Sequence, residues 1–337
     1  MKTKAASLIG MFFLCVCLRV NSAFAQDVFD FNCSDRFDPC KPTLVLKYEV
    51  AYRLLWLNLM HLADAVVYAT DGEWFNEATG EWARAYLMIM QLDTLEEPSR
   101  YGRGLHSIHN RLATVLLKPS LEPLIFAKKD FLHVDTLFSK TDVHNEEYFS
   151  VESGKNDYIK RDHVSQTTVT NLEQFGQLAS QRQEVFRFMR VASALYSGET
   201  NNLPANREFT ISVYTDNTLV PFNVEIAPRL RGVNNILGRR FKALYFEAVP
   251  APEFSGKGRP LEVWACSFRY LTEKLDDAGL IWLSSNTFEF GMIPLMAQYG
   301  LRIGAVHCEL AEVQLEADSL GLAPREMPGA SRGADEK

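Results

Sequence analysis

Three arrangements of reactive residues stand out, and each competes with a plain structural use. His106 and His109 are three apart, a metal pair if that stretch were helical; on a strand they would point to opposite faces, and a solvated loop edge is expected. Asp142, His144, Glu146 and Glu147 form a denser cluster that could hold a cation. It lacks the regular oxygen spacing of a calcium loop, so a polar hairpin tip is expected instead. Ser284, Ser285 and Asn286 follow Ile281-Trp282-Leu283 and could either host a nucleophile or cap a strand and form a turn. The motifs that would decide for catalysis are missing. No Gly-x-Ser-x-Gly bends a strand around a nucleophile, and no His-Glu-x-x-His sets two imidazoles one helical turn apart. Gly102-Arg103-Gly104 is the nearest approach to a phosphate loop and lacks the third glycine. The expected catalytic set is empty, and neither a metal nor a cofactor is expected.

Two further groups could bind rather than react. Arg229, Arg231, Arg239, Arg240 and Lys242 gather in one short stretch of an otherwise acidic chain. They could meet anionic headgroups or an acidic partner, or simply form the solvated end of a hairpin. Residues 54–60, 84–92 and 280–284 are apolar on both parities if they are strands, and such strands need cover on both faces. One helix on a flat sheet covers one face only. The surplus must therefore pack on a second layer or line a cavity. Leu57, Tyr86, Met88, Met90, Trp264, Phe268 and Trp282 are the candidate liners, since Met and aromatic side chains adapt to varied apolar ligands.

The elements that must position these residues are mostly strands. Leu44, Leu46, Tyr48, Val50 and Tyr52 alternate with less apolar neighbours, a period of two. Strands are also expected at 110–117, 122–132, 208–213, 220–226, 239–248, 261–270, 280–284 and 301–313, with 133–163 a loop or exposed hairpin region. Helical spacing dominates in 182–196, where Phe186, Met189, Ala192 and Tyr196 share a stripe that Gly198 can end. Residues 52–67 fit either a helical stripe or two strands turning near Asn58. The expected architecture is mainly β: a strongly curved antiparallel sheet, half-open barrel or sandwich, with one main helix near 182–196.

Lys2 and Lys4, the apolar run 5–18 and Ala23-Phe24-Ala25 compose a secretory signal over 1–25. A lead-in (26–43), a single domain (44–314) and a disordered tail (315–337) follow. The net charge of −7 over 337 residues becomes more negative once Lys2, Lys4 and Arg19 leave with the signal, which argues against nucleic acid as a partner. After cleavage no apolar run is long enough to span a membrane. In an oxidising compartment, Cys33, Cys40, Cys266 and Cys308 suggest Cys33–Cys40 and Cys266–Cys308 bridges, although four cysteines allow three pairings.

Four stretches line up in order with DUF3108, a bacterial exported family of unknown function. They are Leu46-Lys47-Tyr48-Glu49-Val50, the link Lys118 to Pro123, Asn202 to Val249 and Gly279 to Leu310. The resemblance covers most of 44–314, favours strands for 52–67, and implies a periplasmic compartment and a β fold without a reaction. The strand pattern is similar to the half-open barrels of periplasmic lipoprotein carriers, by analogy alone. The sequence thus ranks a non-catalytic carrier of an apolar or amphipathic envelope molecule, such as a lipid, beside a structural protein with an envelope protein partner. A hydrolase of envelope polymers comes third. The expected place is the periplasm or the outside of the cell.

Overall fold

The computed structural model describes residues 36–40, 42–54, 57–76, 79–94, 105–118, 122–136, 139–150, 157–169, 188, 191–192, 194–196, 208–215, 218–227, 229–254, 259–286, 292–300 and 304–316. The signal, Cys33 and most of the tail lie outside them. The strands are β1 (Phe37–Pro39), β2 (Thr43–Leu54), β3 (Leu57–Asn76), β4 (Glu81–Asp93), β5 (Leu105–Leu117), β6 (Glu122–Thr136), β7 (Ser139–Ser150) and β8 (Asp157–Asp162). They continue with β9 (Thr167–Val169), β10 (Glu208–Thr215), β11 (Thr218–Ile226), β12 (Arg231–Ile236), β13 (Arg239–Pro250), β14 (Leu261–Ser267), β15 (Met292–Gly300) and β16 (Ala305–Glu316).

All belong to one strongly curved antiparallel sheet whose path runs β10-β11-β13-β14-β15-β16-β2-β3-β4-β5-β6-β7-β8-β9. The end strands β9 and β10 do not pair with each other, so the sheet stays open. Most neighbours on the path are joined as hairpins, and β12–β13 turns through Leu237 and Gly238, both at positive φ. The exceptions are β11 with β13, which have β12 between them in the chain, β14 with β15, which are joined through two helices, and β16 with β2, which joins the last strand to the second.

Register fixes which residues share a face, because side chains alternate along a strand and residues opposite each other point the same way. The major face carries the larger core. Leu44, Leu46, Tyr48 and Val50 of β2 meet Ala63, Ala65, Val67 and Ala69 of β3, and the layer continues through β13 to β16. The minor face has a smaller core built on Trp74, Leu87, Ile89, Val115, Ile125 and Tyr148. Strand β1 takes the place of β2 beside the far end of β3, where Phe37, Asp38 and Pro39 pair Trp74, Glu73 and Gly72. Only glycine fits at 72. A Cβ there would lie 2.2 Å from the Asp38 carbonyl oxygen and 2.6 Å from the Phe37 ring.

Helical residues within the expected helix, Phe188, Val191, Ala192 and Leu195, are buried in the major-face core. Phe188 meets the Phe209 and Phe246 rings edge-on at 5.5 and 5.2 Å. Two further helices replace expected strand. Helix α1 (Phe268–Leu275) ends the strand expected over 261–270 at Ser267, whose side chain caps it by accepting from the Tyr270 N–H at 3.2 Å. Helix α2 (Ala278–Asn286) replaces the strand expected at 280–284; the Asp277 carboxylate accepts from the Leu280 N–H at 3.0 Å. A five-residue apolar run carries no period of its own, and the Asp cap decides it.

The remaining differences are gains in strand. Residues 133–163 contribute the end of β6 and all of β7 and β8, strands β1, β9, β12 and β15 lie where none is expected, and β16 reaches Glu316 beyond the expected domain end. Residues 52–67 are two strands, turning between Leu54 and Leu57 rather than near Asn58. The Cys266–Cys308 bridge is absent. Cys266 lies on β14 and Cys308 on β16, with β15 between them, so the two thiols stand about two strand spacings apart, beyond disulfide reach. Both are buried free thiols whose pKa burial pushes up, which makes them poor nucleophiles. Cys40 is also a free thiol, and Cys33 lies outside the described residues.

Candidate functional site

The candidate liners divide by location. Tyr86, Met88 and Met90 lie on the major face of β4, opposite Leu116, Thr114 and Leu112 of β5, and all three are buried. Phe268 is buried in the same core from the start of α1. Trp264 points to the minor face, its ring 5.1 Å from that of Tyr245. Trp282, on α2 rather than a strand, is 47% exposed and lines nothing inside. Leu57 has no described side chain. Three strand residues and one helix residue thus share the apolar layer, Trp264 packs against that core as a half-buried neighbour, and Trp282 stays outside it.

That layer borders charge on its own face. Asp71 of β3 sits directly opposite Tyr86, is 2% exposed, and forms an ion pair with Lys118, whose ammonium lies 4.0 Å from the centre of the Tyr86 ring. Farther along, the row Met90–Leu112 continues into Lys128 of β6 and Glu147 of β7, and the row Leu92–Asn110 into Asp130 and Asn145. Lys128 and Asp130 pair with each other, and Glu147 is 3% exposed. The major face therefore turns from apolar to ionic between β5 and β6. Charges held this far from water need partners, and these have them.

The basic cluster does not converge. Arg231 lies 3.6 Å over the Tyr245 ring on the minor face, while Arg239 donates to the Lys274 carbonyl at the end of α1. Arg229, Arg240 and Lys242 are exposed at the β12–β13 hairpin and the bend before it. The solvated hairpin end is the structure found. Tyr245 itself belongs to a polar group in which its hydroxyl donates to Glu262 at 2.8 Å and Gln298 donates to the other Glu262 oxygen at 3.3 Å. Burial, then the bond to Glu262, pushes the Tyr245 pKa up to about 12.

The minor face holds an arrangement that sequence spacing did not reveal. Register sets Glu309, Glu49, Asp64 and Asp93 directly opposite one another on β16, β2, β3 and β4, and the row continues through His109, Phe131 and His144. Like charges set opposite each other repel. Histidines bond to three of them: His307 to Glu309 at 3.1 Å, His61 to Asp64 at 3.0 Å and His109 to Asp93 at 2.9 Å. His133 pairs with Asp142 on the same face. All six histidines with described side chains lie on this face.

At the β9 end of the row the expected Asp142–Glu147 cluster is split and partly replaced. Asp142, His144 and Glu146 share the minor face, and Glu147 turns to the other. His163 joins them from the turn after β8. Its ring stacks on His144 with centroids 4.2 Å apart, and its Nε2 lies 2.8 Å from Glu146 Oε2. Nothing near 144 in the sequence announces a residue 19 positions on. Only the register of β7 with β8 brings it there. His109 opposes Phe131 as a strand residue should, and the His106 side chain lies outside the described residues. Ser284 and Ser285 spend their hydroxyls on the Ile281 carbonyl at 2.8 and 3.0 Å, at the end of a helix rather than a strand.

Among the described residues no helix is long and apolar enough to cross a membrane. No family model matches the chain. No curated protein matches it either. Among solved structures it is similar to the crystal structure of a beta-barrel-like protein of domain of unknown function DUF1849 from Brucella abortus. The two share 8% sequence identity over 82% of this chain and 98% of that chain, with a TM-score of 0.35.

Proposed function

We propose that this is a non-catalytic binding protein of the bacterial envelope that carries an apolar or amphipathic molecule along the major face of its open sheet. The observation that carries the reading is the boundary on that face. Tyr86, Met88 and Met90 supply an adaptable apolar strip, and beside it stand the buried carboxylates Asp71 and Glu147 with the half-buried ammonium groups of Lys118 and Lys128. An amphipathic molecule presents the matching pair, a chain for the strip and a polar head for the border. The export signal read in residues 1–25 and the resemblance to DUF3108 supply the compartment. Native mass spectrometry of the protein from its own envelope, before and after delipidation, tests the proposal. A bound species of lipid mass that delipidation removes is expected. A bare chain that also fails to take up an added fluorescent fatty acid would overturn it.

One observation favours a partner-binding role instead. Trp82 is 44% exposed beside Phe75, ring centres 5.3 Å apart, at the end of the β3–β4 hairpin. A stoichiometric protein in the same spectra, lost on Trp82→Ala, would support that reading over the carrier.

A further inference from the structure

We infer that His144, Glu146 and His163 form a binding site for a first-row divalent transition ion of the zinc type. Their ligand atoms all lie within 4.8 Å of one another. His144 and Glu146 are two apart on β7, which puts both side chains on the minor face. His163 is fixed beside them by its own backbone, since its N–H donates to the His144 carbonyl at 2.8 Å. The turn that presents it is tied down twice more. The Asp162 carboxylate accepts from the Val164 and Ser165 N–H groups at 2.9 and 3.0 Å, and the Gln166 side chain donates to the His163 carbonyl at 2.6 Å. Phe131 meets His144 edge-on at 6.0 Å and walls one side.

The donor set selects the ion. Two imidazoles and one carboxylate suit zinc and its neighbours, and do not meet the all-oxygen preference of calcium or magnesium. Three protein ligands leave a fourth position for water or a small ligand. On binding, His163 Nε2 exchanges its hydrogen bond to Glu146 for a bond to the ion, and any proton shared there leaves to solvent. Lys129 and Arg161 flank Glu146 on the adjoining strands and oppose a second positive charge, so binding should be reversible rather than permanent.

The site lies on the opposite face from the proposed apolar ligand, and its failure would leave the carrier reading standing. Titration of the tag-free, metal-stripped full chain with Zn²⁺ at pH 7.5 is expected to show one equivalent bound. His144→Gln and His163→Gln should each weaken it at least about tenfold, whereas His61→Gln and His109→Gln should leave it unchanged. Binding should weaken in acid, because protons compete with the ion for its ligands. Modification of the unmutated protein by diethyl pyrocarbonate gives a readout that needs no variant. Zinc should shield His144 and His163 and leave His109 open. No zinc uptake, or modification of His144 and His163 unaffected by zinc, would overturn the site.

Discussion

Followed along one row of the major face, Leu46, Val67, Met90 and Leu112 are apolar, and the next two strands continue the same row with Lys128 and Glu147. On the minor face two rows differ. Glu49, Asp64 and Asp93 lead through His109 to the exposed Phe131 and the half-buried His144, whereas Val45, Tyr68, Ile89 and Ala113 run on into Ala127, Tyr148 and Ile159, an apolar row. The larger dry layer of β2–β3 thus lies on the major face and that of β6–β8 on the minor, although both regions belong to one hydrogen-bonded sheet. Strand β4 lies where the two layers overlap, and it is dry on both sides. Sidedness here is a property of a segment rather than of the whole sheet, and the changeover supplies an apolar strip with charge beside it.

The comparison predicts unequal responses to similar changes. The largest should come from Met90→Asp, a charge without a partner in the dry layer, which should cost about 4 kcal/mol or more in urea unfolding. A cost near 1 kcal/mol would mean that water already reaches the strip. Lys118→Met should cost about 3 kcal/mol, because it leaves the buried Asp71 carboxylate without its ammonium. Asp71→Asn should cost less, and the reverse order would break the argument. In the ionic region, adding Asp130→Leu to Lys128→Met should restore at least about 1 kcal/mol relative to Lys128→Met alone, a coupling that a double-mutant cycle measures. Additive losses would deny that the pair acts as a unit.

The smallest effect concerns pH. The folded pKa of His144 is lowered by burial and by His163, so the unfolded chain binds the proton more readily. The stability this contributes is present above the unfolded value near 6.5 and is lost as pH falls through that value toward the folded one. His144→Gln should flatten the slope of stability below pH 6.5, and an unchanged slope would remove His144 as its source.

Much of the strand framework was legible in the sequence because alternation survives wherever one face meets water, as in 44–53 and 208–226. The overlap strand was legible for the opposite reason: Tyr86 to Leu92 are apolar on both parities, and the structure covers both. Residues 133–163 were not. Their alternation is there, but polar side chains occupy both sides, Glu147 buried on one and His144 and Glu146 half-buried on the other, so polarity misreports exposure. Helix α2 failed for want of length, although Asp277 and Ser267 carried the capping signals that separate both helices from strands. The imidazole–carboxylate row could not be read at all. Its members come from β16, β2, β3, β4, β5, β6 and β7, and register alone aligns them.

The seam between the last strand and the second has a consequence for how the chain is made. A polypeptide emerges N-terminus first, so β2 and β3 can zip as a hairpin early while their other flank waits for residues 305–316. Until those arrive, β2 offers an open edge of hydrogen-bonding groups, and its greasy side lacks its neighbour. Closing so long a loop is slow. Biogenesis therefore depends on keeping an unfinished molecule unaggregated until its final dozen strand residues have been delivered.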